Sequence, residues 1–131
     1  MARVLCALVL AGVFAGTASA ARPVTVTAPA YPLVCGQATG LIAVTFPAGV
    51  RLPRTIAPAA VAVNGRAASS VKVDGRTVSV TVARKPGVTC LSIVIGKLTI
   101  AFAAGARVDV GSARTAAVTH GARTYKARIS A

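Results

Sequence analysis

The chain has 131 residues, of which 15 are Lys or Arg and only 2 are Asp or Glu, so its formal net charge is +13. That length suits one domain. Two acidic side chains and one histidine offer little for acid–base catalysis, and the sequence has no zinc-ligand spacing, P-loop, dinucleotide-binding motif or nucleophile elbow. We therefore predict that the protein is not an enzyme and that it binds no metal or cofactor.

The first 20 residues have the pattern of a cleavable secretory signal. The basic residue Arg3 precedes an apolar run over residues 4–14, and residues 18–20 are Ala-Ser-Ala. The run is shorter than the roughly 20 apolar residues that a spanning helix needs, although an uncleaved anchor is the alternative. We expect residues 21–131 to be secreted, either extracellular or associated with the cell envelope, with no transmembrane segment. Their formal net charge is +12, because only Arg3 leaves with the signal.

Two cysteines remain after the signal is removed, because Cys6 lies within it. In an oxidising compartment, Cys35 and Cys90 most simply form one intramolecular disulfide. Such a bridge closes a loop of about 55 residues. Because it lowers the conformational entropy of the unfolded chain, it should stabilise the folded protein by around 4 kcal/mol. Two free thiols or an intermolecular bridge are the alternatives. Neither cysteine has a CxxC partner or a nearby histidine, which disfavours metal or redox chemistry.

Strand-like alternation, rich in Val, Ile and Thr, dominates the chain after the signal. No stretch there keeps a helical period for three turns. Prolines stand between the alternating runs, where they punctuate strands. The predicted strands are residues 23–27, 41–46, 60–63, 71–73, 76–82, 89–95, 97–102, 107–110 and 124–129.

Two dipeptides predict tight hairpins between these strands. Asn-Gly at 64–65 and Asp-Gly at 74–75 are favoured in two-residue type I′ turns, where both residues need a positive φ. For the second hairpin we expect Val73 to oppose Arg76, with the valines of both strands on one buried face. About seven to nine short strands separated by turns predict an all-β fold. The specific expectation is a single-domain, immunoglobulin-like antiparallel β-sandwich over residues 21–131.

The order of these segments resembles a known family. Residues 42–49 (IAVTFPAG), 61–65 (VAVNG), 71–75 (VKVDG), 78–82 (VSVTV) and 121–125 (GARTY) succeed one another in this order. This arrangement is similar to the immunoglobulin-like β-sandwich modules of bacterial secreted and cell-surface proteins, here in a single copy. The resemblance implies a non-catalytic surface module with a structural, adhesion or envelope-binding role.

Three side chains could serve acid–base chemistry, and each has a structural interpretation. Asp74 is assigned to its turn, because Asp tolerates a positive φ and bonds its own backbone. Asp109 alternates with valines and is expected to project from a strand into solvent. His120 is expected to be solvated in a loop before the last strand. The aromatic side chains Phe46 and Phe102 lie in apolar strands and are predicted to be part of the core.

Positive charge is the one compositional feature that suggests a partner, since it creates a field that attracts anions. On the last strand, Lys126 and Arg128 share a polar face. If Arg76, Arg84 or Lys85 lies on the same face of the sheet, these side chains form an anion-binding patch. The partners that we expect are anionic cell-envelope polymers or another surface protein.

The charge also allows two other interpretations. One is a cationic effector that binds anionic polymers, such as wall polymer or nucleic acid, or membrane surfaces. Nucleic acid is disfavoured as the main partner, because the chain offers few aromatic side chains for stacking on bases. The other gives the charge no function and attributes it to an Ala-, Gly-, Arg- and Val-rich composition.

Overall fold

The computed structural model describes residues 22–83 and 92–131, and it confirms the prediction of an antiparallel all-β fold. Hydrogen bonds join nine strands of this part of the chain into one sheet. Two 3-10 turns, Pro58–Ala60 and Ala104–Ala106, lie between strands. The strands are β1 (Val24–Val34), β2 (Gly40–Thr45), β3 (Val61–Val63), β4 (Arg66–Ala67), β5 (Ser70–Asp74), β6 (Thr77–Val82), β7 (Ile93–Phe102), β8 (Thr115–His120) and β9 (Arg123–Ser130).

The sheet curls until its two edges adjoin. Its strand order is β4-β3-β7-β1-β9-β8-β2-β6-β5, yet the edge strands β4 and β5 are separated along the chain only by Ala68 and Ser69. The Ala68 N–H donates to Val61 O on β3 at 2.9 Å, and the Ser69 N–H donates to Thr81 O on β6 at 2.8 Å. This link spans at most about 11 Å. In a flat nine-stranded sheet with strands about 4.8 Å apart, the two edge strands would be too far apart for this link to join them, so the sheet cannot be flat.

The concave side of the curled sheet holds the hydrophobic core. Along the strands, buried apolar residues alternate with exposed or half-buried ones, as in Thr77–Val82, where Val78, Val80 and Val82 are inside. Phe46 follows β2 and Phe102 ends β7; each is 1 % exposed, and their ring centroids are 6.0 Å apart. Both were correctly predicted to be core. Their contact joins the half of the sheet that contains β2, β6 and β8 to the half that contains β1, β3 and β7.

Three parts of the strand prediction are wrong. The strand predicted over residues 23–27 continues to Val34 as β1, so Pro29 and Pro32 lie within a strand and not between strands. Residues 115–120, which were not predicted as a strand, form β8 and pair with both β2 and β9. Alanine has low β-propensity, and here two flanking strands supply the packing that local sequence does not. Residues 107–110 form no strand: only one isolated bridge joins Asp109 to Arg51, and Arg107 has a φ of 57°.

Residues 89–91 of the predicted run 89–95 lie outside the described ranges; the rest of that run meets the run 97–102 in a single strand, β7, which begins at Ile93. Gly96 does not end it. An ideal Cβ built at Gly96 would lie 3.0 Å from Leu33 Cδ1 on the paired strand β1, so the glycine allows a close approach rather than a turn.

The first predicted hairpin turn is confirmed, and the second is shifted along the chain. Asn64 and Gly65 both have a positive φ, of 48° and 84°. In the second hairpin Asp74 ends β5 and opposes Thr77, so Gly75 and Arg76 form the turn. The positive φ of 62° at Gly75, with none at Arg76, is the pattern of a type II′ turn.

The correction moves the register by two residues, so that Val73 opposes Val78 rather than Arg76. A shift of two leaves every side chain on its predicted face, because the side-chain period of a strand is two. The buried face of this hairpin is therefore as predicted, although Asp74 belongs to a strand and not to the turn.

Several sequence predictions concern residues outside the described ranges. These are the secretory signal over residues 1–20, the cysteine Cys90, and the basic pair Arg84 and Lys85. In the described ranges 22–83 and 92–131, no helix has the length and apolar character needed to cross a membrane.

Candidate functional site

The outer, convex face of the sheet carries the basic side chains of the last strand. Along β9, Ala127 and Ile129 are buried, whereas Lys126 and Arg128 are exposed. Alternate side chains of a strand point to opposite faces, so Lys126 and Arg128 share the outer face, as predicted.

The pairing register determines which side chains neighbour Lys126. Lys126 opposes Ala117 on β8, and Ala117 opposes Thr45 on β2. Thr45 in turn opposes Thr77 on β6. Directly opposed residues point to the same face, with Cβ atoms about 5 Å apart. The exposed Arg76 precedes Thr77 in the β5–β6 turn, so a row of short side chains leads from Lys126 to Arg76.

Arg76 and Lys126 line one open depression on this face, with Pro47 among the other lining residues. The hydroxyl oxygens of Thr45 and Thr77 are 3.2 Å apart beside it. Two exposed cations thus flank a mainly apolar floor, to which Thr45 and Thr115 contribute hydroxyls. Such a floor can receive an anionic group, because the long Lys and Arg side chains can close over it from either side.

Arg128 extends the positive charge along β9. It opposes Thr115 on β8 and Thr27 on β1, both of which carry hydroxyls. Of the five residues predicted to bind anions, the structure thus places Arg76, Lys126 and Arg128 on the outer face; the other two lie outside the described ranges. Asp74 opposes Thr77 at the β5 edge and brings one carboxylate near Arg76.

A second polar cluster, which the sequence did not predict, consists of Tyr31, His120 and Tyr125. The prediction of a solvated loop for His120 is wrong: it is the last residue of β8 and is half-buried. Its Nε2–H donates to Thr39 O at 3.1 Å, because a carbonyl oxygen can only accept. In the neutral imidazole, the other ring nitrogen, Nδ1, then accepts a hydrogen bond from the Tyr31 hydroxyl.

Tyr31 is the buried member of this cluster, at 1 % exposure. Burial, and secondarily the nearby Tyr125 hydroxyl, raises the pKa of Tyr31 to about 12. Its ring meets that of Tyr125 edge to face, with centroids 4.7 Å apart. The Tyr31 hydroxyl is therefore a fixed proton donor to His120, which suits a structural role in tying β1 to β8. Sequence reasoning missed the pair because Tyr31 and His120 are 89 positions apart.

No group of three or more His, Cys, Asp or Glu side chains within residues 22–83 and 92–131 is placed to hold a metal ion. Comparison with protein-family models, with curated proteins and with solved structures finds no match. Functional conclusions about this chain therefore depend on its own residues, and the outer face is the strongest candidate site.

Proposed function

We propose that residues 21–131 form a secreted, non-catalytic module of the bacterial cell envelope, which binds an anionic envelope polymer across the outer face of its sheet. The observation that carries this proposal is the depression shared by Arg76 and Lys126. Arg76 precedes β6 and Lys126 lies on β9, three strand spacings away, so their backbones are about 14 Å apart. A polymer with repeated phosphate or carboxylate groups can place successive charges against both cations.

The overall charge supports the same partner class. The module carries a net charge of +12, and an anionic chain of any sequence is attracted by that field. Contact specificity comes from the outer face, where one hydroxyl of the hydrogen-bonded Thr45–Thr77 pair can donate to an oxygen of a bound anion. At the β5 end of the depression, the carboxylate of Asp74 weakens the attraction for anions. The polymer should therefore bind more strongly at the Lys126 end.

We also propose that the curled sheet is an immunoglobulin-like sandwich with a Cys35–Cys90 disulfide. The contact between Phe46 and Phe102 supports two halves of the sheet facing each other across one core. The Cys35 N–H donates to Ser92 O at 2.8 Å, and Ser92 is two residues beyond Cys90 in the sequence. This proximity supports the bridge.

A binding titration with poly(glycerol phosphate) tests the proposed function. We expect the double variant Arg76→Ala with Lys126→Ala to bind about tenfold more weakly, because two solvent-exposed ionic contacts are lost. Binding of the unaltered protein should weaken steadily with added salt. The matched control is Arg22→Ala with Arg54→Ala, which removes the same charge from two exposed residues that do not line this depression.

Equal losses in the two double variants would mean that net charge alone attracts the polymer and would contradict a site on the outer face. Asp74→Asn should strengthen binding, because it removes the carboxylate near Arg76. Tighter binding to DNA than to poly(glycerol phosphate) would instead favour the cationic-effector function.

A further inference from the structure

The distal ends of β1 and β7 form a two-stranded ribbon that extends beyond the rest of the sheet. Residues 31–34 of β1 pair with residues 93–96 of β7. Among the described strands, β9 pairs with β1 only over residues 25–27, and β3 pairs with β7 only over residues 100–102. In this part of the structure the ribbon therefore has no further strand on either side.

One face of this ribbon is apolar and exposed. Val34 opposes Ile93, and Pro32 opposes Ile95, so these four side chains share a face. Val34 is 50 % exposed, Ile93 is 64 % and Ile95 is 71 %. The opposite face includes Leu33, which is buried, and its partner Val94, which is 49 % exposed, so most of the exposed apolar surface lies on the first face. Clustered exposed apolar side chains at the end of a ribbon are characteristic of an interaction surface.

Positive charge lies directly behind this apolar end. Lys97 is on the same face of β7 as Ile95, about 7 Å further along the strand. Thr99, the next residue of β7 on this face, opposes Thr27 on β1, and Thr27 opposes Arg128 on β9. The two acidic residues of the chain are elsewhere: Asp74 is at the β5 edge, and Asp109 lies in a loop bridged to Arg51.

We propose that the ribbon inserts Val34, Ile93 and Ile95 into the interface of an anionic lipid bilayer, with Lys97 at the level of the phosphate headgroups. Apolar side chains backed by cations are the arrangement that interfacial membrane binding requires. A second copy of the chain is a poorer occupant, because each copy is strongly positive and the apolar face is small beside the roughly 800 Å² per partner of a stable interface. This surface lies on the same outer face of the sheet as the polymer-binding depression, but it shares no lining residue with it.

The absence of tryptophan from the chain gives a direct optical test. In Ile95→Trp, the new indole reports the polarity around the ribbon end. We expect its emission to shift to shorter wavelength with vesicles of phosphatidylcholine and phosphatidylglycerol, and to stay unchanged with phosphatidylcholine alone. The control is Leu41→Trp, because Leu41 is similarly exposed, at 59 %, but lies on β2. A Leu41→Trp shift as large as that of Ile95→Trp would overturn the assignment to the ribbon.

Vesicle co-sedimentation then measures the contribution of the apolar side chains. Ile93→Ser with Ile95→Ser should lower the partition coefficient on anionic vesicles by roughly thirtyfold. Both side chains are exposed, so the variant should keep its circular dichroism spectrum and its binding to poly(glycerol phosphate). Unchanged vesicle binding would overturn the proposal, as would a dimer of the unaltered protein that the double variant converts to monomer. Failure of the unaltered protein to bind poly(glycerol phosphate), with normal insertion into anionic vesicles, would contradict only the proposed function.

Discussion

Tyr31 and His120 form a partly buried hydrogen bond whose geometry determines the tautomer of the neutral imidazole. The carbonyl of Thr39 requires a proton on His120 Nε2, and this leaves Nδ1 to accept from the Tyr31 hydroxyl. Both groups are satisfied, which is the usual condition for polar atoms inside a fold. Removing either partner would leave the other without its hydrogen bond.

The tautomer of His120 can be measured directly. We expect ¹⁵N NMR of the neutral imidazole to show the proton on Nε2 and none on Nδ1, because of the two hydrogen bonds described above. His120→Ala should reduce the free energy of unfolding by about 1–3 kcal/mol, since the buried Tyr31 hydroxyl loses its acceptor. A neutral imidazole with its proton on Nδ1 would contradict this arrangement.

The raised pKa of Tyr31 predicts a specific loss of stability in alkali. The unfolded chain ionises Tyr31 near its ordinary pKa of 10.0, whereas the folded protein holds the proton up to a pKa of about 12. The free energy of unfolding should therefore be insensitive to this group below pH 10 and should fall as the pH rises from 10 to 12.

Urea unfolding at several pH values checks this prediction, with Tyr31→Phe as the control. The variant keeps the aromatic ring but has no ionisable hydroxyl, so its stability should fall less steeply over the same range. Equal slopes for the two proteins would show that other groups cause the alkaline loss.

At the scale of secondary-structure elements, the sequence predicts the face to which a side chain points more reliably than the pairing register or the ends of the strands. The β5–β6 turn lies one residue later than predicted, yet the two-residue change in register keeps Val78 buried. By contrast, β8 has little signal of its own and exists because it lies between β2 and β9. Local patterns therefore predict which face a residue takes better than they predict which strands pair.

Gly96 provides a test of strand packing within β7. Gly96→Ala should destabilise the protein by about 1 kcal/mol, because a Cβ there presses on Leu33. Gly105→Ala is the matched control, since no atom lies within 4 Å of the Cβ position at Gly105. We expect the control to change stability by less than about 0.5 kcal/mol. Equal urea midpoints for the two variants would contradict the close approach.

At the scale of the whole molecule, the curled sheet brings distant segments together around one core. The two-residue link between β4 and β5 joins the sheet's edges, and the Phe46–Phe102 contact closes the interior. The Cys35–Cys90 bridge would connect the end of β1 to the segment that precedes β7. It remains a prediction, because Cys90 lies outside the described ranges.

The disulfide prediction is tested with protein expressed from the full sequence, including the predicted secretory signal, and recovered from outside the cell. We expect mass spectrometry to find a mature N-terminus at Ala21 and a Cys35–Cys90 linked peptide that disappears on reduction. Cys35→Ser with Cys90→Ser should lower the free energy of unfolding by around 4 kcal/mol. Reduction of the unaltered protein should have a similar effect, but should leave the double variant unchanged. Two free thiols in the exported protein would contradict the prediction.

The sequence by itself determined the all-β class, most strand positions and the outward direction of Lys126 and Arg128. These follow from alternation and from turn dipeptides, which act over only a few residues. Only the tertiary structure placed Arg76 beside the same depression as Lys126, paired Tyr31 with His120 and left Ile95 exposed at the end of a ribbon. Those features depend on strand order and on how far each strand extends beyond its neighbours, and non-local pairing of this kind has no local signature in the chain.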